Sequence, residues 1–171
     1  MEEKNNICEE KIFTAFFKKN VKPLRNYILY KFGNEELAED IVQEAFTKLW
    51  QNCKNIPIEK GKSYIYRVAN NASLNVVSHQ KVVLEYTKNN VNDERHNENP
   101  EFLYEQEEFK KKLIKAINTI NETQRIAFLM HRIDGKKYAE IAEELNISVK
   151  AVEKRIHLAL IQIKKEIVNF K

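Results

Sequence analysis

The stretch Tyr138-Ala-Glu-Ile-Ala-Glu-Glu-Leu-Asn-Ile-Ser-Val-Lys-Ala-Val-Glu-Lys-Arg-Ile-His157 has the spacing of two short helices joined by a tight turn. Ile141, Ala142 and Leu145 fall on the inner face of the first helix, and Ala142 is small where the second must pass close to it. Asn146 stands where the turn needs a left-handed residue, a conformation asparagine tolerates better than most non-glycine residues. Ile147 fills the corner, and Ser148 can cap the next helix by accepting from its free N–H groups. Val152, Ile156, Ala159 and Ile163 then repeat at spacings of four, three and four, the stripe of a buried helix face. Ser148, Lys150, Glu153, Lys154, Arg155 and His157 are left for the outside, residue types that meet phosphates and base edges in a major groove. The motif is a helix-turn-helix, and it implies a chain that reads duplex DNA.

Composition extends this helical reading to the whole chain. Three glycines and three prolines in 171 residues, with 32% charged residues, favour an all-α protein with long solvated faces. Helices are expected over residues 8–33, with Pro23 dividing that segment in two, over about 34–52 with Asn34 as cap, and over about 62–81 after Gly61. Four more follow at about 101–118, 121–132, 137–145 and 148–168. Asn99 and Asn121 are the expected caps of the first two of these, Asn121 with Gln124 as a capping box. Between Leu84 and Pro100 there is hardly an apolar residue, so this segment cannot offset its own ordering entropy and reads as a flexible linker. Residues 84–108 carry two basic against eight acidic residues, while residues 1–83 carry thirteen against ten. Two small helical domains, 8–83 and 101–171, joined by the acidic linker 84–100, are therefore expected.

Cys8 and Cys53 are too few for a disulfide framework and read as buried or incidental thiols, with no histidine at metal-ligand spacing. No apolar run approaches the ~20 residues of a membrane span, and the first residues lack the plan of a signal peptide. A cytoplasmic protein without membrane insertion is expected. No glycine-rich phosphate loop, nucleophile motif or metal cluster is present, so no catalytic residue, metal, cofactor or small-molecule substrate is assigned. The chain reads as a binding protein rather than an enzyme.

Two further helix faces carry unusual residue sets. On the third helix Leu37, Ile41, Ala45 and Leu49 form the core stripe, while Asp40, Gln43, Glu44, Phe46 and Trp50 make a second, mixed aromatic and polar one. Aromatics rimmed by polar groups suit a protein–protein contact, although spacing alone equally allows Phe46 and Trp50 to be core. On the fourth helix Ile65, Val68, Ala69, Ala72 and Val76 face inward. Tyr64, Tyr66, Arg67, Asn70, Asn71, Asn75, Ser78, His79 and Lys81 are left for the other side. Amides can read base edges and tyrosines can stack on bases drawn from a duplex. On the last helix Glu153 can accept from a cytosine amino group or pair with Lys150 or His157 along the helix, and the intrahelical pairing is favoured.

Taken in order, these parts resemble a known family. Glu36-Leu-Ala-Glu-Asp-Ile-Val-Gln-Glu-Ala-Phe-Thr-Lys-Leu-Trp50 resembles the region 2.2 motif of RNA polymerase sigma factors. Lys62-Ser-Tyr-Ile-Tyr-Arg-Val-Ala-Asn-Asn-Ala-Ser-Leu-Asn75 is similar to the region 2.3–2.4 helix, and residues 113–168 to region 4. With only these domains and a tether, residues 13–167 resemble an extracytoplasmic-function (group 4) sigma factor, and the wording of residues 147–155 the branch found in Bacteroidetes. The resemblance implies that Asp40, Gln43, Glu44, Phe46 and Trp50 dock on the β′ clamp helices of core polymerase, with the β flap as a further contact. It implies that Tyr64, Tyr66, Arg67, Asn70, Asn71, Asn75, His79 and Lys81 serve the −10 element, and the last helix the −35 element. It also implies an anti-sigma factor, and a linker threaded near the RNA path of the polymerase. The family often has aspartate at the place of Asn75 and arginines at those of Asn70 and Ser78, so phosphate contacts on that helix are expected to be fewer. The alternative is a conventional helix-turn-helix regulator binding operators without polymerase, which needs a dimer face that the sequence does not display. A helical adaptor binding only proteins leaves the basic charges of the last helix unused.

Overall fold

The computed structural model describes residues 7–74 and 100–168 and divides the chain into two compact units, Met1–Val82 and Val83–Lys171. Every regular element among the described residues is helical, as the composition implies.

In the first unit α1 (Glu10–Phe32), α2 (Glu35–Gln51) and α3 (Ile58–Leu74) pack with α2 against both neighbours, and a 3-10 turn at Cys53–Asn55 links α2 to α3. The core takes Leu24, Tyr27 and Ile28 from α1, Ala38, Ile41, Val42, Ala45 and Leu49 from α2, and Ile65 and Ala69 from α3. Gly33 ends α1 in the left-handed conformation (φ 68°), and Asn34 caps α2, its side chain accepting from Leu37 N at 2.9 Å. Both ends were legible from the Gly33–Asn34 pair.

Three expectations for this unit are corrected. Pro23 does not divide the first segment, because α1 runs through it as one helix of 23 residues. Proline removes one helical N–H donor, but Leu24, Tyr27 and Ile28 directly after it are buried in the core and hold the helix in line. Asn20, buried in the turn before Pro23, donates its Nδ2 to Phe16 O at 2.8 Å. Gly61 lies inside α3 rather than before it. A Cβ there would meet the Phe16 ring at 3.0 Å and Ile7 Cδ1 at 3.1 Å, so this glycine serves a close approach of α3 to α1. Finally, Cys8 and Cys53 are not separate thiols. They form a disulfide across 45 residues, with Cα atoms 5.2 Å apart, tying the turn before α1 to the 3-10 turn that follows α2.

In the second unit α4 (Pro100–Thr119), α5 (Glu122–Arg132) and α6 (Tyr138–Leu145) all pack against α7 (Val149–Val168). The buried core takes Val152, Ile156, Ala159 and Ile163 from α7, Ala116 from α4, Ile120 just after it, Ile126, Phe128, Leu129 and Met130 from α5, and Ile141 and Ala142 from α6. Asn121 caps α5 by accepting from Thr123 N at 3.0 Å. Arg125 is buried at the α4–α5 corner, where its Nη1 donates to Ile120 O at 3.2 Å. Burial lowers its guanidinium pKa from the ordinary value, and the charge of Glu122 opposes that shift.

The expected linker 84–100 lies, apart from Pro100, outside the described residues, as do Asn75, Val76, Ser78, His79 and Lys81.

Candidate nucleic-acid interface

The helix-turn-helix forms as its residues require. Asn146 has φ 53° and ends α6 in the left-handed region, and Ile147 N returns to Ala142 O at 3.0 Å to close the corner. Ser148 Oγ accepts from Ala151 N at 3.1 Å, capping α7. With Val152 and Ile156 fixed in the core, helical geometry turns Lys150, Glu153, Lys154 and His157 to solvent, and all four are exposed. Arg155 is half-buried, on the flank of that surface.

The favoured pairing of Glu153 along the helix does not form. Within the described residues neither Glu153 nor Lys150, Lys154, Arg155 and His157 makes a side-chain hydrogen bond or ion pair. An exposed pair of this kind contributes only about 0.3–0.5 kcal/mol against the entropy of fixing two long side chains. The three cations and Glu153 are therefore uncommitted, at no cost in folding contacts.

The turn leading into this motif is held by charge. Lys136 Nζ lies 2.6 Å from Glu144 Oε2 and 3.9 Å from Asp134 Oδ2, with all three side chains largely withdrawn from solvent. His131 Nδ1 donates to Lys136 O at 2.8 Å, and its ring meets Tyr138 edge-on at 4.9 Å. Neighbouring Gly135 takes φ 67° with open space around it, so conformation, not crowding, requires glycine there.

In the first unit the two candidate faces separate into surface and support. On α2, Asp40, Gln43, Glu44 and Trp50 are exposed, Trp50 by 44%, and Glu44 pairs with Lys48 at 2.6 Å. Phe46 is core, only 4% exposed. The sequence reading missed two partners of this face. Phe13 of α1 meets Trp50 with ring centroids 4.8 Å apart, and Phe17, 38% exposed, meets Phe46 at the same distance. The signal in the sequence is Phe13 and Phe17, four apart and so on one face of a helix. Together the four rings make an aromatic ledge across α1 and α2 with Asp40, Gln43 and Glu44 on the same helix.

On α3, Arg67 and Asn71 are exposed and Tyr64 is half-buried. The Arg67 guanidinium lies 5.4 Å from the Tyr64 ring centroid, and the Tyr64 hydroxyl accepts from Asn52 Nδ2 at 3.3 Å. Tyr66 and Asn70 do not join them on the outside. Tyr66 is 5% exposed with its ring 5.2 Å from that of Tyr27. Asn70 Oδ1 accepts from Tyr27 Oη at 2.8 Å and Lys31 Nζ at 3.0 Å, so it faces α1. The Asn70 amide finds its partners on α1 because a buried polar group without one is destabilising.

The two units thus define a helical protein pairing a helix-turn-helix with a bundle that presents aromatics and amides. Comparison with known proteins gives this class a family. Residues 16–82 match Sigma-70 region 2, and residues 110–163 match Sigma-70, region 4. The chain carries both regions, in that order and over well more than half its length, and belongs to the sigma-70 family. It is 25% identical over 127 residues to the ECF RNA polymerase sigma factor SigE of Mycolicibacterium smegmatis, a match covering 73% of this chain and 49%, about half, of the relative. It is 25% identical over 140 residues to the ferric citrate uptake sigma factor FecI of Escherichia coli, covering 80% of each. Among solved structures, the sigma factor RpoE of Bartonella quintana, crystallised with the anti-sigma factor NepR, shares the fold at a TM-score of 0.60 and 15% identity. That similarity covers 92% of this chain and 97% of RpoE.

Proposed function

We propose that this chain is an extracytoplasmic-function sigma factor that binds core RNA polymerase and directs it to promoters. The observation that carries the proposal is the presence of both sigma-70 regions in one chain, the second ending in a helix-turn-helix with uncommitted cations. Asp40, Gln43, Glu44 and Trp50, with Phe46 beneath them, form the contact with the β′ clamp helices, and Phe13 and Phe17 extend it. The region 4 domain adds the β flap. Tyr64, Arg67 and Asn71 face the −10 element, with Asn75, His79 and Lys81 continuing that contact, while Tyr66 and Asn70 hold α3 to α1. Ser148 starts the −35 reader, and Lys150, Glu153, Lys154, Arg155 and His157 meet the duplex.

The work is done by binding alone. Drawing a base from the stack costs a few kcal/mol, which stacking and hydrogen bonds to the opened strand offset. No catalytic residue, metal or cofactor enters this reading. Its place of action is the cytoplasm, where the polymerase is. An anti-sigma factor is the regulatory partner, by analogy with the RpoE–NepR complex. Domain limits of 8–83 and 101–171, and membership of the Bacteroidetes-like branch, complete the proposal, the latter on the wording of residues 147–155.

The test is transcription in vitro with core polymerase, with and without this protein, beside the protein alone on the same DNA. Promoter-dependent initiation only when both are present is expected. Trp50→Ala should weaken core binding tenfold or more, since interface tryptophans commonly contribute ≥ 2 kcal/mol. Specific DNA binding by the protein alone with no initiation would overturn the proposal.

A further inference from the structure

We infer that Val149 is a base-reading residue of α7, specific for the C5-methyl group of a thymine in the duplex contacted by that helix. The inference rests on the promoter reading above and names what one position of the helix recognises. Val149 is the first residue of α7 and is 48% exposed. It does not serve the core of its own unit, which takes Val152 and Ile156 from the next turns at 0% and 3% exposure. Its surface neighbour by helical spacing is Glu153 one turn on, which is exposed. Across the first two turns of α7, residues 149–157, no other apolar side chain is exposed. At its N-terminal end the helix therefore presents one branched apolar group within a polar surface, while Leu158, Leu160 and Ile161 are exposed further along.

Position and chemistry together select its target. Recognition helices of this motif enter the major groove with their N-terminal residues nearest the base edges. Among the groups that base pairs expose in that groove, the thymine C5-methyl is the apolar one; the others are hydrogen-bond donors and acceptors, to which valine offers nothing. Valine is β-branched and holds essentially one χ1 rotamer in a helix, so its methyls are set before binding and lose little entropy on contact. Ser148 Oγ already caps the helix, so the Val149 side chain is not needed to start it.

The experiment uses the full chain in complex with core polymerase. Selection from duplexes randomised across the −35 element first defines its thymines. Each is then replaced by deoxyuridine, which differs only in lacking the methyl group. One replacement should weaken wild-type binding about fourfold, the ratio given by ~0.8 kcal/mol for a buried methyl-sized group at ~1.4 kcal/mol per tenfold. The Val149→Ala complex should bind the thymine and deoxyuridine duplexes equally. A −35 element without a preferred thymine, deoxyuridine tolerated throughout by the wild type, or equal sensitivity in wild type and variant would each overturn the assignment. Failure of the wild-type complex to select any −35 sequence would instead overturn the promoter reading beneath it.

Discussion

Asn146 shows how one backbone conformation sets the angle between two helices. Its φ of 53° is the one positive value at a non-glycine residue among those described, and it falls where α6 must stop and α7 begin. An ordinary L-residue in that region costs roughly 1–2 kcal/mol, and asparagine less. Asn146→Ala should therefore destabilise the second unit by about 1 kcal/mol, and Asn146→Gly should leave it unchanged or slightly more stable. Urea unfolding followed by far-UV circular dichroism measures both, and equal stability of the alanine and glycine variants would refute the strain argument. Lys154 makes the complementary point about side chains. Being exposed and unpaired, it gives up no internal contact when it meets a phosphate. Lys154→Ala should weaken promoter binding and reduce the slope of log K against log salt by about 1. A variant whose slope matches the wild type would show that Lys154 makes no phosphate contact.

At the level of elements, the second unit was far more legible than the first. The stripe Val152, Ile156, Ala159, Ile163 and the turn residues Asn146 and Ser148 act over short distances, and periodicity and capping chemistry report such local features well. What periodicity does not report is the partner a side chain finds on another helix. Tyr66 and Asn70 lie at positions that spacing assigns to the outside, yet Tyr27 and Lys31 of α1 draw them inward. Pro23 and Gly61 misled for the same reason, since tertiary packing overrode a local preference against helix. The ion cluster that ties the turn before α6 to Glu144 within it is likewise invisible in sequence, because Asp134, Lys136 and Glu144 meet only once the unit is folded. Its removal is testable. Lys136→Met leaves two carboxylates withdrawn from solvent without their ammonium partner and should cost about 3–5 kcal/mol. Adding Glu144→Gln removes one of those charges and should recover part of the loss. A Lys136→Met protein within 1 kcal/mol of wild type by urea unfolding would show that the cluster contributes little.

For the molecule as a whole, the disulfide is where sequence and structure differ most. Two cysteines are too few for a disulfide framework, so the sequence gives no reason to expect a bridge. It nevertheless closes the first unit, joining the turn before α1 to the 3-10 turn that follows α2. Cys8 precedes Phe13 by five residues and Cys53 follows Trp50 by three, so the covalent link and the Phe13–Trp50 contact fasten the same two segments. Closing a loop across 45 residues removes chain entropy from the unfolded state worth about 4 kcal/mol. The stability of this unit should therefore depend on redox conditions, and Trp50, the single tryptophan of the chain, lies where it reports on this unit alone. Urea unfolding followed by Trp50 fluorescence should shift to lower midpoint when a phosphine reductant is added. Cys53→Ala should unfold at that lower midpoint under oxidising conditions and show no further change on reduction. Because the ledge of Phe13, Phe17 and Phe46 does not need the sulfurs to pack, the reduced unit should still unfold cooperatively rather than lose structure outright. A midpoint indifferent to reductant would mean that aromatic packing alone fixes the start of α1 against α2.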